Sequence, residues 1–198
     1  MRTKLLLHVL LFFSCLSLFP QNLQFYREDL NFEIKDQYFY VSGIYFFCNT
    51  SDKEIKQVLV YPFPKDSLAY GEVDSVSIVN PENNSLVNII KKKPDEIYFP
   101  VVVKPYKTSK YKIFYRQKIL NHRAEYILIT THAWHKPFEI VNYNLRFPID
   151  VRIDSITYQP DSIINTKNYI MFKWQKKDFM PDKNLLIWFN LNKLSSTK

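Results

Sequence analysis

Residues 38–48, Tyr-Phe-Tyr-Val-Ser-Gly-Ile-Tyr-Phe-Phe-Cys, place apolar or aromatic side chains on both faces that a two-residue repeat defines. A segment with no polar stripe to offer to water belongs in the middle of a covered sheet. Several other stretches alternate in the same way but with one wet side. In 109–117, Tyr111, Ile113 and Tyr115 share a face while Lys112 and Arg116 take the other. In 138–147, Val141, Tyr143, Leu145 and Phe147 oppose Asn142, Asn144 and Arg146. No stretch keeps a 3.6-residue apolar rhythm for three consecutive turns, so a helical fold is excluded.

The remaining strands are expected at 29–34, 55–61, 73–79, 86–91, 97–103, 124–131, 151–158, 169–175 and 185–189. Pro62 and Pro64 cannot donate to a ladder and keep the 55–61 strand from continuing as a central one. The alternation in 151–158 slips phase at Asp154-Ser155, the sequence mark of a bulge. With only two glycines in the chain, Asn and Asp must supply the turns, and glycine-rich nucleotide loops are ruled out. The expected fold is all-β: a single antiparallel β-sandwich, Ig-like or a larger two-sheet sandwich, of roughly nine to eleven strands. It would occupy residues 18–190, followed by a tail at 191–198.

Ahead of it, Arg2 and Lys4 precede the apolar run from Leu5 to Phe13, which stops at Gln21-Asn22. That is the pattern of a secretory signal, and the run is too short to remain as a membrane span. Small side chains around Cys15-Leu16-Ser17 suit cleavage after Ser17, giving a signal over residues 1–17. Phe12-Phe13-Ser14-Cys15 also faintly matches a lipobox, which would lipidate Cys15 and hold the domain at a membrane. The expected address is therefore exported, in the periplasm or at the cell surface, with a membrane-attached lipoprotein as the alternative.

The formal charge of +8 is spread along the chain, apart from Lys91-Lys92-Lys93 and the lysines between 104 and 112. With no recognised motif beside it, this charge does not indicate nucleic acid as a partner. Cys48 is the one cysteine left after cleavage, so no internal disulfide is available and the core must hold the fold. It is expected as a buried, inert thiol.

Few residues suggest chemistry. His132 and His135 in Thr130-Thr-His-Ala-Trp-His-Lys-Pro137 could share a metal, but no third ligand stands beside them in sequence. No Gly-x-Ser-x-Gly elbow occurs, and acid pairs such as Asp29 with Glu33 or Glu125 with Glu139 require a suitable separation in space. No catalytic residue, metal site or cofactor is assigned. The candidate interaction surface comprises Thr131, His132, Trp134 and His135 in one loop, with Tyr61, Phe63 and Tyr70 around another, because large amphipathic aromatics on loops suit recognition. Trp174 and Trp188, within strands, read as core. Asn49-Thr50-Ser51 and Asn83-Asn84-Ser85 match the glycan acceptor rule.

The segments from Phe25-Tyr26-Arg27-Glu28 to Cys48-Asn49-Thr50, Val60-Tyr61-Pro62-Phe63-Pro64 and Thr130-Thr131 to Pro137-Phe138 resemble exported bacterial β-sandwich proteins of unassigned function. The resemblance implies secretion and a sandwich, and it carries no catalytic residue. The resulting expectation is a non-catalytic exported binding or assembly module for an exported protein or a cell-envelope glycan. The alternative is a carbohydrate-active hydrolase with acids in a sandwich cleft. Mass spectrometry of the chain recovered from an expressing bacterium should find its first residue at Leu18, whereas a diacylated Cys15 would establish the anchored form.

Overall fold

The computed structural model describes residues 22–191. The expected signal, with Cys15, and the tail beyond residue 191 lie outside the described residues. Fourteen strands follow in order: β1 Leu23–Lys35, β2 Tyr38–Asn49, β3 Ile55–Pro62, β4 Tyr70–Asn80, β5 Ser85–Leu86, β6 Lys91–Lys93, β7 Glu96–Val103, β8 Thr108–Ile119, β9 Arg123–Tyr126, β10 Phe138–Pro148, β11 Val151–Ile156, β12 Ser162–Asn165, β13 Tyr169–Phe179 and β14 Leu185–Leu191. A short 3-10 helix, Ile129–Trp134, separates β9 from β10. Among the described residues no helix is long and apolar enough to cross a membrane.

The strands form three sheets. The large one runs β12-β13-β10-β1-β2-β8-β4-β5, and two three-stranded sheets run β11-β14-β9 and β3-β7-β6. The inner face of the large sheet is apolar at Leu30, Phe32 and Ile34 of β1, Phe39, Val41 and Tyr45 of β2, Ile113 and Tyr115 of β8, and Val141, Tyr143 and Leu145 of β10. These share one hydrophobic core with Leu59 and Tyr61 of β3, Ile97, Phe99 and Val101 of β7, Ala124 and Tyr126 of β9, and Leu185, Ile187 and Phe189 of β14. The two small sheets thus supply the second layer together.

This all-β architecture corrects the expectation of a single antiparallel sandwich of roughly nine to eleven strands. The second layer is divided because Pro62 ends β3 as an edge strand, while β9 contributes only four residues to the other sheet. The strands β5, β6 and β12, of two to four residues, are too short to show a period. One pairing is parallel: β1 lies beside β10, with Leu30 opposite Tyr143 and Phe32 opposite Leu145. Parallel neighbours need a long connection, and local alternation carries no trace of which distant strand will supply it.

Other expectations correspond directly to the structure. β2 is central, flanked by β1 and β8, and the register of β11 against β14 shifts between Ile153 and Ser155. The second face of β2 is not covered by another layer, however. Its residues shield one another instead, with the Arg27 guanidinium 4.7 Å and the Lys110 ammonium 5.6 Å from the centre of the Phe46 ring. Cys48 lies on this face half-buried, short of the burial expected for it. Asn49 is fully buried, and its amide donates to the carbonyls of Lys53, Val103 and Lys104 at 2.7, 3.0 and 3.2 Å. The first glycan acceptor sequence is therefore closed in the folded chain.

Gly43 of β2 marks a close approach in the core. A Cβ there would overlap the Leu30 side chain and lie 2.7 Å from the ring and hydroxyl of Tyr45. Replacing Gly43 with Ala should destabilise the fold by about 1–3 kcal/mol through overpacking, measured as a lower urea midpoint.

Candidate functional site

β1 departs from simple alternation at one point. Phe25 pairs with Phe47 and Arg27 with Phe46, so Tyr26 is an extra residue in β1. Such a bulge reverses which face the following side chains take. Phe25 and Glu28, which uninterrupted alternation would separate, consequently face the interior together. Glu28 lies opposite Tyr45 of β2 and Val141 of β10 and is only 2% exposed.

Above them is a cavity of about 350 Å³. Its floor comes from Phe25, Glu28, Tyr45, Phe47 and Ile113 of the large sheet, one wall from the β3 edge, Leu59 to Pro62, and the other from Tyr126, Ile127 and Leu128. The 3-10 helix closes it with Thr130, Thr131, Ala133 and Trp134. The site therefore lies where the edge strands of the two small sheets, β3 and β9, meet over the large one. Val60, 47% exposed, and exposed Thr130 border its opening to solvent. Larger hollows of about 680 and 580 Å³ occur elsewhere, but exposed polar side chains such as Glu82, Asn83 and Lys107, or Lys35, Asp36 and Gln37, form much of their walls.

The aromatic lining is mutually braced. Phe25 stacks on Phe47 at 5.1 Å and meets the Trp134 ring edge-on at 5.8 Å, while Tyr45 and Tyr61 cross at 89°. Beneath them runs a chain of buried polar groups. The Tyr45 hydroxyl lies 2.7 Å from that of Tyr61 and 2.9 Å from that of Tyr126, and Tyr143 donates to Glu28 Oε1. Burial raises the Glu28 carboxyl to a pKa of about 8, against the opposing hydrogen bonds of Tyr143 and Tyr126, so it carries a proton at neutral pH. Burial likewise keeps the hydroxyls of Tyr45, Tyr61, Tyr126 and Tyr143 protonated, raising each well above the usual tyrosine range.

The helix that closes the cavity is held from outside. Asn184 Oδ1 accepts from the backbone N–H of Leu128 at 3.0 Å and Ile129 at 3.3 Å, Thr131 Oγ1 donates to the Leu128 carbonyl, and His132 Nε2 lies 2.8 Å from the Pro181 carbonyl oxygen. His135 ends the helix in a left-handed conformation with φ 55°.

The seven interaction candidates accordingly divide. Tyr61, Thr131 and Trp134 line the cavity, whereas His132 and His135 are exposed and contribute no side chain to its lining. Phe63 is core, packed against Tyr61 and Tyr115. Tyr70 donates to Glu125 Oε2 at 2.8 Å and accepts from Arg123, whose guanidinium also reaches Asp66. Among the described residues no group of three His, Cys, Asp or Glu could hold a metal. Three of the four acids considered as pairs have other partners: Asp29 accepts from Arg27 and Asn142, Glu33 faces Arg146 at 3.7 Å, and Glu125 accepts from Tyr70 and Asn184.

No protein-family model matches the sequence, and no curated protein matches it significantly. Solved structures share the fold. A "putative nutrient binding protein" from Legionella pneumophila superposes with a TM-score of 0.64 at 14% identity, over 85% of this chain and 67% of that one. An M1 zinc metallopeptidase from Deinococcus radiodurans gives 0.52 at 8% identity, over 85% of this chain and 43% of the peptidase. A mutant of an M1 zinc metallopeptidase from the same organism, bound to a Tyr-Ser-Ala substrate, gives 0.53 at 9% identity, over 87% and 44%. The chain thus spans less than half the length of the peptidases, and at these identities the likeness is one of fold.

Glu28, Tyr45 and Tyr126 were not among the sequence candidates, and Tyr143 was expected only as an aromatic of the core or of a contact surface. A signal did exist for the first: Glu28 occupies the same alternating phase as Leu30, Phe32 and Ile34, where a carboxylate is out of place. The carboxyl pKa in the folded chain, about 8, exceeds the ~4.3 of an unfolded glutamate. The folded chain therefore binds the extra proton between those values, and its stability should fall as pH rises from about 4.5 to 8. Melting curves across that range should show a drop in the native chain that is reduced in Glu28→Gln.

Proposed function

We propose that the chain is an exported, non-catalytic binding module whose recognition element is the aromatic cavity above Glu28. The observation supporting this reading is a partly open, largely apolar cavity with one convergent group of polar atoms at its floor. Ligand sites combine an apolar lining with a few orienting polar groups in this way, and the volume falls at the lower end of their range. The occupant that suits it is a small molecule with an apolar body. A glycan fits poorly, since its hydroxyls would lose water against Phe25, Phe47, Leu59 and Phe99 without finding partners.

Glycoside hydrolysis is not supported, because it ordinarily uses two carboxyl groups across the scissile bond and Glu28 is the one carboxyl among the lining residues. The fold shared with a nutrient-binding candidate agrees with a binding role. A second reading, assembly on a protein partner, draws on the outward face of β3 and β7, where Val58, Val60 and Val102 are 48, 47 and 38% exposed. Export rests on the leader pattern of residues 1–17.

N-phenyl-1-naphthylamine, a neutral apolar fluorophore, should bind saturably at one molecule per chain. Ala133→Trp, which fills the cavity from the closing helix, should abolish that binding with little change in melting temperature. Absence of saturable binding to the native chain would refute the cavity as a ligand site.

A further inference from the structure

We infer that the cavity takes a primary organic ammonium, an amine on a compact apolar or aromatic body, with its charge paired to Glu28 and its body within the aromatic lining. This deepens the binding reading above and rests on it. Three observations converge. Glu28 lines the cavity while almost wholly withdrawn from bulk water. Among the described residues it forms no ion pair, although Arg27, Lys93, Arg116, Arg123, Arg146, Arg152 and Lys176 each have an acidic partner within 4 Å. The lining also offers the faces and edges of Phe25, Tyr45, Phe47, Tyr61, Tyr126 and Trp134, and aromatic walls attract cations through the ring quadrupole.

The groups around Glu28 reinforce the assignment. Asp29 follows it on β1, Tyr45 faces it from β2, Tyr126 from β9 and Tyr143 from β10. None is basic. A buried carboxylate without a cation is costly, and Glu28 is therefore held in its protonated form at neutral pH. An arriving ammonium exchanges with that proton: the neutral carboxylic acid and the ligand cation become a carboxylate–ammonium pair, and one proton leaves to solvent. An anionic ligand would meet repulsion once Glu28 ionises, and a neutral one would bind with Glu28 still protonated and gain no ion pair.

Titration calorimetry with 2-phenylethylammonium, 2-phenylethanol and phenylacetate tests the assignment on the native chain, because the three share a body and differ in charge. At pH 9 the ammonium should bind at least tenfold more tightly than the alcohol, with no measurable phenylacetate binding. Its affinity should rise about tenfold from pH 6.5 to 7.5 and level off above the Glu28 pKa of about 8. At pH 7, buffers of different ionisation enthalpy should report close to one proton released per ligand. Glu28→Gln should erase the preference over the alcohol while still admitting the alcohol, which also shows that the variant is folded. Equal or tighter binding of the alcohol to the native chain would overturn the cation assignment but leave the cavity as a ligand site. Failure of all three to bind, together with failure of the neutral fluorophore, would remove both.

Discussion

Three sheets that share no strand are tied together by one run of hydroxyl groups. Tyr45 belongs to the large sheet, Tyr61 to the sheet of β3, and Tyr126 to the sheet of β9, and their oxygens meet within hydrogen-bond distance at the centre of the molecule. Each such bond contributes only about 1 kcal/mol net, but a buried hydroxyl that loses its partner costs about 1–3 kcal/mol. The two small sheets are therefore held at the spacing that keeps all three oxygens in contact. Hydrophobic packing alone, which is non-directional, would not fix them there. The close approach at Gly43 belongs to the same arrangement, since it lets the Tyr45 side chain lie across the backbone of its own strand.

The cavity is a consequence of this junction. Two sheet edges converge on a third sheet without merging into it, and the space between them is roofed by a six-residue 3-10 helix. That roof is fastened by Asn184 and Pro181, from the segment just before β14, and Asn184 also donates to Glu125, which accepts from Tyr70. The wall and the roof are consequently parts of one hydrogen-bonded assembly, which fixes the shape of the cavity. Its chemistry is set by a single residue, Glu28, that the bulge at Tyr26 places in line with Phe25.

The extended segments were legible because alternation is a local property. The Tyr111, Ile113, Tyr115 face and the Val141, Tyr143, Leu145, Phe147 face both lie in the core, and the phase slip at Asp154-Ser155 coincides with a real shift of register. The division of the second layer was not legible, since it depends on which edges find each other over distances that no local pattern records. Tyr61, Thr131 and Trp134 reached the cavity because prolines and polar residues marked their surroundings as loops. His132 and His135, chosen by the same reasoning, did not, because residues three apart in a 3-10 helix share one side and theirs is the side turned away from the cavity. The bulge in β1 was hidden by the richness of its flanks: Phe25 and Tyr26 are both aromatic, so neither phase looked broken.

The parallel pairing of β1 with β10 has a kinetic consequence. Arg27 to Glu33 align with Ile140 to Arg146, partners separated by 113 residues, and β13 then covers the far side of β10. Contacts so distant along the chain impose a loop-closure cost before they return any stabilisation, which makes folding slow. During synthesis the first strand has no permanent neighbour on that side until most of the polypeptide has emerged from the ribosome.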